Sequence, residues 1–527
     1  MAPKRKVQHA TESVSNGAPA KKAKAEQATA PKPKTATAVS TTAKKDVTPK
    51  TAPTPIASST SPTTIQIVAG SYDRILHGIT CSVEPSTSSS DNPKVSFADT
   101  FLFTAHTSAI RCLALSPPSA PAPGQSQKIM LATGATDERV NVYNLSAHPP
   151  SASSRSAAAL LSSAGAPRPI LENSSNRELG TLLHHSSTVT QLAFPTRGKL
   201  LSSSEDSTIA VTRTRDWSLL SSIKAPVPKL VGRPSGDTAA HGAGPRGVNS
   251  FAVHPSLKLM ISVGKGERCM RLWNLVTGKK AGVLNFGREV LDAIGEGRIG
   301  MGEGRRVVWG AGGEEGDEFA VAFDRDVVVF GMDSLPRCRV MGGERTKVHE
   351  IEYVKVGEEA EDGKEDESLL VVSTEDGRLL FFSTRKEDLV EEEEKDGKAV
   401  LPNAKLVAQL GGKEAGVSSR IKDFKFLALE GEEGKRFWYV MTGSSDGKLR
   451  VWKLEADELK GDEKEKKQVG KLLGAYDTQN RITCVEGFVM IPRPEGVEDS
   501  EDEFDDEVEA EDEEAADKAA ADESDLE

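Results

Sequence analysis

A short pattern that recurs along the chain constrains the fold most strongly. Residues 441–454, MTGSSDGKLRVWKL, combine a run of small residues, the turn pair Asp446-Gly447 and an alternating strand with Trp452 near its end. The Asp side chain can bond to turn amides and the Gly accepts a positive φ, so Asp-Gly predicts a tight hairpin turn. Six further copies align on a turn acid: Asp73, Asp137, Asp206, Glu267, Asp324 and Asp376.

The copies resemble a known repeat. Small-small-x-x-Asp, followed six residues later by Trp or another aromatic residue, is similar to the WD repeat, which builds four-stranded blades around a channel. The turn acids lie 52 to 70 residues apart, more than the ~40–45 residues of a bare blade, so each blade is expected to carry insertions. Three repeats depart from the pattern: Glu267 replaces Asp, and Ile79 and Thr212 replace the aromatic residue.

The WD resemblance also implies a hydrogen-bonded group inside each blade. In that family, a His before the first strand, a Ser or Thr in the second, the turn Asp and the Trp contact one another. The matching positions are His106, Thr133, Asp137 and Tyr143 in one repeat, His185, Ser202 and Asp206 in the next, Trp273 and Asp376 in two others, and Thr442, Asp446 and Trp452 in the last.

Seven repeats predict an all-β fold, a seven-bladed WD-repeat β-propeller over residues 63–492. Residues 481–491 have the pattern of a first strand with no partners after it, whereas the first repeat has no first strand before it. We therefore expect 481–491 to pair into the N-terminal blade, because such a closure leaves no open sheet edge. In the fifth repeat, 288–297 and 305–312 compete as the first strand.

The two ends of the chain are polar and of opposite charge. Residues 1–62 contain 11 Lys and Arg against three acids, whereas 497–527 contain 18 acids and Lys518. Neither end has enough large apolar residues to form a core, so disordered tails are expected over 1–62 and 493–527. The basic clusters resemble a two-part nuclear import signal, the alternative being a solubilising tail. Their residues are Lys4, Arg5, Lys6, Lys21, Lys22 and Lys24.

The sequence contains little that indicates a catalytic, cofactor-binding or metal-binding site. Gly295 to Gly300 formally satisfies G-x-G-x-x-G, but a dinucleotide site needs a following helix and a distant acid, so a loop is expected. The five cysteines are scattered, which favours buried thiols over a zinc site or disulfides. No apolar run is long enough to span a membrane. We therefore predict no catalytic residue, no cofactor and no metal, and a protein that is not an enzyme.

The fourth repeat is rich in cations. Its candidate partner-binding rim comprises Arg246, Lys265, Arg268, Arg271, Lys279 and Lys280. Arginines on rigid turns suit phosphate or carboxylate recognition, and the alternative is an ordinary solvated surface.

Three stretches, 253–286, 317–334 and 69–80, resemble the maintenance-of-killer WD-repeat family, whose animal relatives are PAK-interacting proteins. The resemblance implies a non-catalytic scaffold in the nucleus and nucleolus that assembles the large (60S) ribosomal subunit. It implies as partners the pre-large-subunit particle, ribosomal or ribosomal-like assembly proteins and rRNA, with the chain monomeric within a larger complex. The alternative is a signalling scaffold that binds and inhibits a p21-activated kinase.

Overall fold

The computed structural model describes residues 62–85, 93–122, 125–151, 156, 170–228, 246–297, 301–311, 317–342, 344, 346–356, 368–391, 401–431, 435–460 and 467–493. The import clusters, from Lys4 to Lys24, and the acidic segment 497–527 lie outside these residues, and so both predicted disordered tails remain predictions.

The described chain forms seven antiparallel sheets, which we number as blades 1 to 7. Blade 1 contains β1 (Thr63–Ser71), β2 (Ile75–Val83) and β3 (Val95–Thr104). Blade 2 contains β4 (Ile110–Leu115), β5 (Lys128–Ala135), β6 (Val140–Ser146) and β7 (Arg177–Leu182). Blade 3 contains β8 (Val189–Thr196), β9 (Lys199–Ser204), β10 (Thr208–Arg213) and β11 (Leu219–Lys224).

Blades 4 to 7 follow the same order from the inner to the outer strand. Blade 4 contains β12 (Val248–Val253), β13 (Leu259–Gly264), β14 (Cys269–Asn274) and β15 (Lys279–Asn285). Blade 5 contains β16 (Arg306–Ala311), β17 (Asp317–Ala322), β18 (Val327–Gly331) and β19 (Pro336–Arg339). Blade 6 contains β20 (Val348–Lys355), β21 (Ser368–Thr374), β22 (Arg378–Ser383) and β23 (Lys405–Gly411). Blade 7 contains β24 (Ile421–Glu430), β25 (Arg436–Ser444), β26 (Lys448–Glu455) and, as its outer strand, β28 (Lys471–Asp477).

A few elements lie outside this plan. A two-residue strand, β27 (Lys467–Gln468), pairs in parallel with β23 and adds a fifth strand to blade 6. The helices are α1 (Arg288–Ala293) and α2 (Ala456–Leu459), and the 3-10 turns are Lys386–Asp388 and Lys413–Ala415.

The last strand, β29 (Ile482–Val489), closes the ring. It pairs antiparallel with β1, with Ile65 opposite Val489 and Gly70 opposite Cys484. The inner strands β29, β4, β8, β12, β16, β20 and β24 contact one another in cyclic order. The predicted fold class, a seven-bladed propeller, is therefore confirmed.

The core lies between neighbouring sheets, because the middle strands of each blade are covered on both faces. Phe381 of β22 and Trp452 of β26, for example, are buried in one cluster shared by blades 6 and 7. Each such side chain contributes about 1.5–3 kcal/mol of burial free energy. Outer strands such as β11 and β15 are mostly exposed, so their sequences alternate less clearly.

The structure of blade 5 shows which of the two candidate segments, 288–297 or 305–312, forms its first strand. Arg306–Ala311, rich in β-branched residues, is the inner strand, and Arg288–Ala293 is helix α1. Val290, Leu291 and Ile294 share one helical face and are buried against Phe286 and Phe323. Within the formal G-x-G-x-x-G motif, Gly295 has a positive φ of 79° just after the helix, so the motif follows a helix instead of preceding one. Residues 298–300 lie outside the described residues.

The turns between the second and third strands of blades 2, 3, 6 and 7 share a positive φ at the residue after the turn acid. Gly377 and Gly447, which follow the turn acids of blades 6 and 7, have φ of 84° and 82°. Glu138 and Ser207 adopt a positive φ at the same place in blades 2 and 3, where a side chain is less favourable than Gly. The hydrogen bonds of the turn acid, described next, hold these two turns.

Candidate functional site

In blade 2 the predicted hydrogen-bonded group is assembled around His106. Its Nε2 lies 2.8 Å from Thr133 Oγ1 and its Nδ1 lies 3.1 Å from Asp137 Oδ2. Asp137 also accepts the Thr107 amide at 3.0 Å. The pKa of His106 is lowered overall, because the effect of burial outweighs that of the Asp137 carboxylate, which acts to raise it. Tyr143 is buried in the same blade, and the group links the turn to the loop before β4.

Blade 3 repeats this arrangement with Ser in place of Thr. His185 Nε2 lies 2.8 Å from Ser202 Oγ, and its Nδ1 lies 3.1 Å from Asp206 Oδ2. Burial alone would raise the pKa of Asp206, but hydrogen bonds from His185, Thr208 and the Ser186 amide together lower it to about 2. Thr212, at the place of the aromatic residue, is buried.

Blades 4, 6 and 7 use an arginine to bind the turn acid. In blade 4, Arg271 Nη2 donates to Glu267 Oε1 at 2.6 Å. In blade 7, Arg450 Nη2 donates to Asp446 Oδ2 at 2.9 Å, and in blade 6 Arg378 Nε donates to Asp376 Oδ2 at 2.8 Å. Trp273 and Trp452 donate from Nε1 to Ser262 at 2.8 Å and Thr442 at 3.3 Å, respectively. All these side chains hold their own blade together.

The candidate rim of blade 4 needs two corrections. Arg271 is only 7% exposed and its guanidinium binds Glu267, because its place within β14 turns it toward the turn of its own blade; it is a structural residue. Lys279 and Lys280 begin β15, where Lys279 pairs with Asn274 and Asn274 with Leu259. They therefore lie at the opposite end of the blade from Lys265.

The remaining three rim residues stay together at one end of blade 4. Exposed Arg246 precedes Gly247, whose carbonyl accepts the Lys265 amide at 2.9 Å. Lys265 Nζ pairs with Glu205 at 3.2 Å, and Arg268 Nε donates to the Met301 carbonyl at 3.0 Å. Part of their charge is thus already bound within the chain.

The same end of the propeller has a common construction in six blades. An amide of the turn between the second and third strands donates to the carbonyl of the residue just before the inner strand. The donor and acceptor pairs are Tyr72 and Arg481, Thr136 and Ala109, Glu205 and Thr188, Lys265 and Gly247, Glu375 and Lys347, and Ser445 and Arg420. We call this end, formed by those turns and the residues before the inner strands, the turn face.

Cations are concentrated on one side of the channel mouth on the turn face. They stand before or at the start of the inner strands of blades 5, 6, 7, 1 and 2, whereas blades 3 and 4 place Thr188, Thr190, Gly247 and Asn249 there. We define this set as the cationic arc: Arg305, Lys347, Arg420, Lys422, Arg481 and Arg111.

Acidic side chains offset only part of the arc. Asp324 lies 2.8 Å from Arg305 and 3.7 Å from Lys347, and Glu375 lies 3.6 Å from Arg420. Within the described part of the chain, Arg111, Lys422 and Arg481 make no ion pair with a carboxylate. An anionic ligand would therefore meet uncompensated positive charge.

The pKa values of two neighbouring groups report the same imbalance. Lys422 Nζ lies 3.5 Å from His349 Nδ1. Burial, with like charge from Arg420, Arg481 and Arg111, lowers the pKa of Lys422 to about 8. Burial, with like charge from Lys422 and Arg420, lowers the pKa of His349 to about 4. His349 is therefore neutral at pH 7, while Lys422 remains mostly charged.

Below the arc, the channel wall is mixed in charge. Arg306 pairs with Glu350 at 2.8 Å, and Lys425 lies 3.6 Å from Glu352 and 3.8 Å from Glu486. Asp423 accepts the Val485 amide at 2.8 Å, and burial raises the pKa of its carboxyl well above the usual range. The cations Arg306 and Lys425 are therefore already paired with carboxyl groups in this layer, unlike Lys422 and Arg481 at the mouth, among the residues that the structure describes.

An aromatic side chain stands beside the arc. Tyr72, in the turn of blade 1, is 60% exposed, and the Arg481 guanidinium lies 5.6 Å from the centre of its ring. The Tyr72 amide donates to the Arg481 carbonyl at 2.8 Å, which positions the two residues together. Tyr is enriched at interfaces, so an exposed Tyr beside a row of cations makes this part of the turn face a candidate for ligand binding.

Sequence reasoning selected the cations of one repeat and missed the arc. The six arc residues come from five different repeats, at the place where the first strand begins, so the cluster is visible only when the repeats are aligned at that position. The signal exists as Lys347-Val348-His349, Arg420-Ile421-Lys422 and Arg481-Ile482-Thr483, three similar triplets separated by more than 60 residues.

Other kinds of site find little support in the described residues. Over those ranges, no group of three or more His, Cys, Asp or Glu side chains is arranged to hold a metal ion. All five cysteines are buried and free. Among the helices that the structure describes, none is long and apolar enough to cross a membrane.

Comparisons with known proteins agree with this architecture. The family model described as WD domain, G-beta repeat matches residues 176–211, which extend from the outer strand of blade 2 through most of blade 3. The chain is therefore a WD-repeat β-propeller protein.

Within that class, the chain is similar to two sets of curated proteins. It is 27% identical over 445 residues to Protein MAK11 of Saccharomyces cerevisiae, covering 80% of this chain and 82% of that protein. It is 23% identical over 422 residues to p21-activated protein kinase-interacting protein 1-like of Gallus gallus, covering 80% of this chain and 79% of that protein. The predicted resemblance to the maintenance-of-killer and PAK-interacting proteins is thus confirmed.

Proposed function

We propose that this protein is a non-catalytic assembly factor for the large ribosomal subunit that docks on the pre-ribosomal particle through its turn face. The cationic arc carries the proposal, because it combines uncompensated positive charge with a rigid frame of backbone hydrogen bonds. A ribosomal precursor is rich in phosphate, and protein cations at fixed positions suit such a partner. The family resemblance supports the same role.

The two ends of the chain extend the proposal. The basic clusters Lys4 to Lys6 and Lys21 to Lys24 would direct the protein to the nucleus and nucleolus. The acidic segment 497–527 would contact basic ribosomal proteins through its opposite charge. Neither role requires a cofactor or a membrane, and the chain would act as a monomer within the particle.

Depletion of the protein followed by sucrose-gradient sedimentation tests this role. We expect fewer free large subunits and the appearance of half-mer polysomes, because small subunits bound to mRNA would lack large subunits to join them. Re-expression of the unaltered chain should restore the profile, whereas Arg420→Glu with Lys422→Glu should not. Lys279→Glu with Lys280→Glu, the same charge change on exposed residues at the other end of blade 4, should restore it. A normal profile after depletion would contradict the proposal.

The second candidate is a scaffold that binds and inhibits a p21-activated kinase, and the names of several relatives favour it. That function predicts a normal subunit profile together with altered kinase activity after depletion. Affinity purification of the protein with and without ribonuclease would distinguish the two functions. A kinase would still co-purify after ribonuclease treatment, whereas a particle bound through RNA would be lost.

A further inference from the structure

We infer that the cationic arc and Tyr72 together bind a segment of single-stranded RNA, with phosphates along the arc and one base stacked on the Tyr72 ring. The inference builds on the docking face proposed above and names the chemistry that this face recognises.

The arc matches a strand of phosphates because its cations follow one another around the mouth. Blades 5, 6, 7 and 1 are consecutive in the ring, and they supply Arg305, Lys347, Arg420 with Lys422, and Arg481 in that order. Backbone hydrogen bonds to Lys347, Arg420 and Arg481 keep their main chain in place. A curved row of fixed cations is the element of single-strand binding proteins that follows the nucleic-acid backbone.

Tyr72 supplies the second element of such a surface. Its ring is exposed, and the guanidinium of Arg481 lies over it at 5.6 Å. In the proposed complex a base stacks on the face of the ring opposite Arg481 while its phosphate meets Arg481 or Arg420, since base stacking on aromatic residues accompanies cationic grooves in these proteins. An acidic polypeptide would use the cations but would gain little from the ring, so the aromatic residue favours RNA.

The channel below explains why the ligand would remain at the mouth. The carboxylates Glu350, Glu352 and Glu486 line the next layer and exceed its cations Arg306 and Lys425 in number. Phosphates that entered the channel would meet cations that are already paired with carboxyl groups. A duplex would hide the base edges and faces, whereas a single strand can present an unstacked base to Tyr72.

Binding of a fluorescently labelled oligouridine of 12 nucleotides to the purified full chain, measured by fluorescence anisotropy, tests the inference. We expect Arg420→Glu with Lys422→Glu to weaken binding at least tenfold and to reduce the salt dependence, by about 0.7 in the slope for each phosphate that is no longer bound. Lys279→Glu with Lys280→Glu should remain within twofold of the unaltered chain. Tyr72→Ala should weaken binding about tenfold, whereas Tyr72→Phe, which keeps the ring, should not. Circular dichroism and melting temperature verify that each variant is folded.

Three results would overturn the inference: no binding by the full chain, equal losses from the arc pair and the Lys279 and Lys280 control pair, or unchanged affinity in Tyr72→Ala. Displacement of the oligouridine by poly-glutamate at equal charge concentration would also overturn it, and would assign the arc to acidic polypeptides. The assay uses purified components, so a normal subunit profile after depletion would reject the assembly role and leave the RNA site intact.

Discussion

The hydroxyl of Tyr476 donates a hydrogen bond of 2.5 Å to Oδ1 of Asp99, a residue 377 positions earlier in the chain. Tyr476 belongs to β28 of blade 7 and Asp99 to β3 of blade 1, so the contact joins the outer strands on the two sides of the closure. His77 Nε2 binds the same carboxylate oxygen at 2.7 Å. The ring is thus held at its seam by a polar contact in addition to the pairing of β29 with β1.

Tyr476→Phe tests the contribution of that contact. The variant removes one hydrogen bond to the buried Asp99 carboxylate, and we expect the free energy of unfolding to fall by about 2 kcal/mol. Urea denaturation followed by circular dichroism measures the change. Tyr72→Phe makes the same chemical change at an exposed ring and should alter stability by less than about 0.5 kcal/mol; equal effects of the two variants would contradict the role of the seam contact.

Arg271→Ala distinguishes a structural arginine from a binding one. Both Arg271 and Glu267 are largely buried, and removal of one partner leaves an uncompensated charge, which costs about 3–5 kcal/mol. We expect a large loss of stability by urea denaturation, and Glu267→Gln with Arg271→Ala should recover part of it. Lys279→Ala, at an exposed site, should be near neutral. If the Arg271→Ala protein were as stable as the unaltered chain but bound its partner less tightly, Arg271 would be a binding residue and not a structural one.

The pH dependence of stability should change in Asp206→Asn. The folded pKa of Asp206 is about 2, below the value of about 3.9 for an unfolded Asp. Its stabilisation is therefore fully present above about pH 4 and is lost as the pH falls toward 2. We expect the difference in unfolding free energy between the unaltered chain and the variant to shrink between pH 5 and pH 3. A constant difference would show that Asp206 titrates normally in the fold.

Lys422→Arg tests whether the loss of charge on Lys422 at high pH weakens RNA binding. The pKa of Lys422 is about 8, and a bound phosphate would raise it further, so the affinity of the unaltered chain should be highest below pH 8 and fall as the pH rises above it. Arginine keeps its charge throughout this range. We expect Lys422→Arg to bind oligouridine as tightly at pH 9 as at pH 7, measured by anisotropy. A parallel fall in both proteins would assign the titration to another group.

The repeat made most of the fold predictable, because each blade carries its own strands, turn acid and apolar alternation within one continuous segment. The competition in blade 5 could not be decided in the same way, since both segments are apolar and only packing shows that Val290 and Leu291 face Phe323 as a helix. The sequence alone does not separate Arg268 from Arg271, whereas the structure leaves Arg268 exposed in the turn before β14 and directs Arg271, within the strand, toward Glu267.

The amino-acid sequence by itself determined the number of blades and the hydrogen-bonded groups of His106 and His185 in blades 2 and 3, since these rest on contacts within one repeat. Tertiary structure alone decided which charges lie side by side. Arg305, Lys347, Lys422 and Arg481 come from four separate repeats, and only closure of the ring by β29 places them around one opening. Charge interactions act through space, so the binding surface depends on the distances that the fold creates and not on the order of residues.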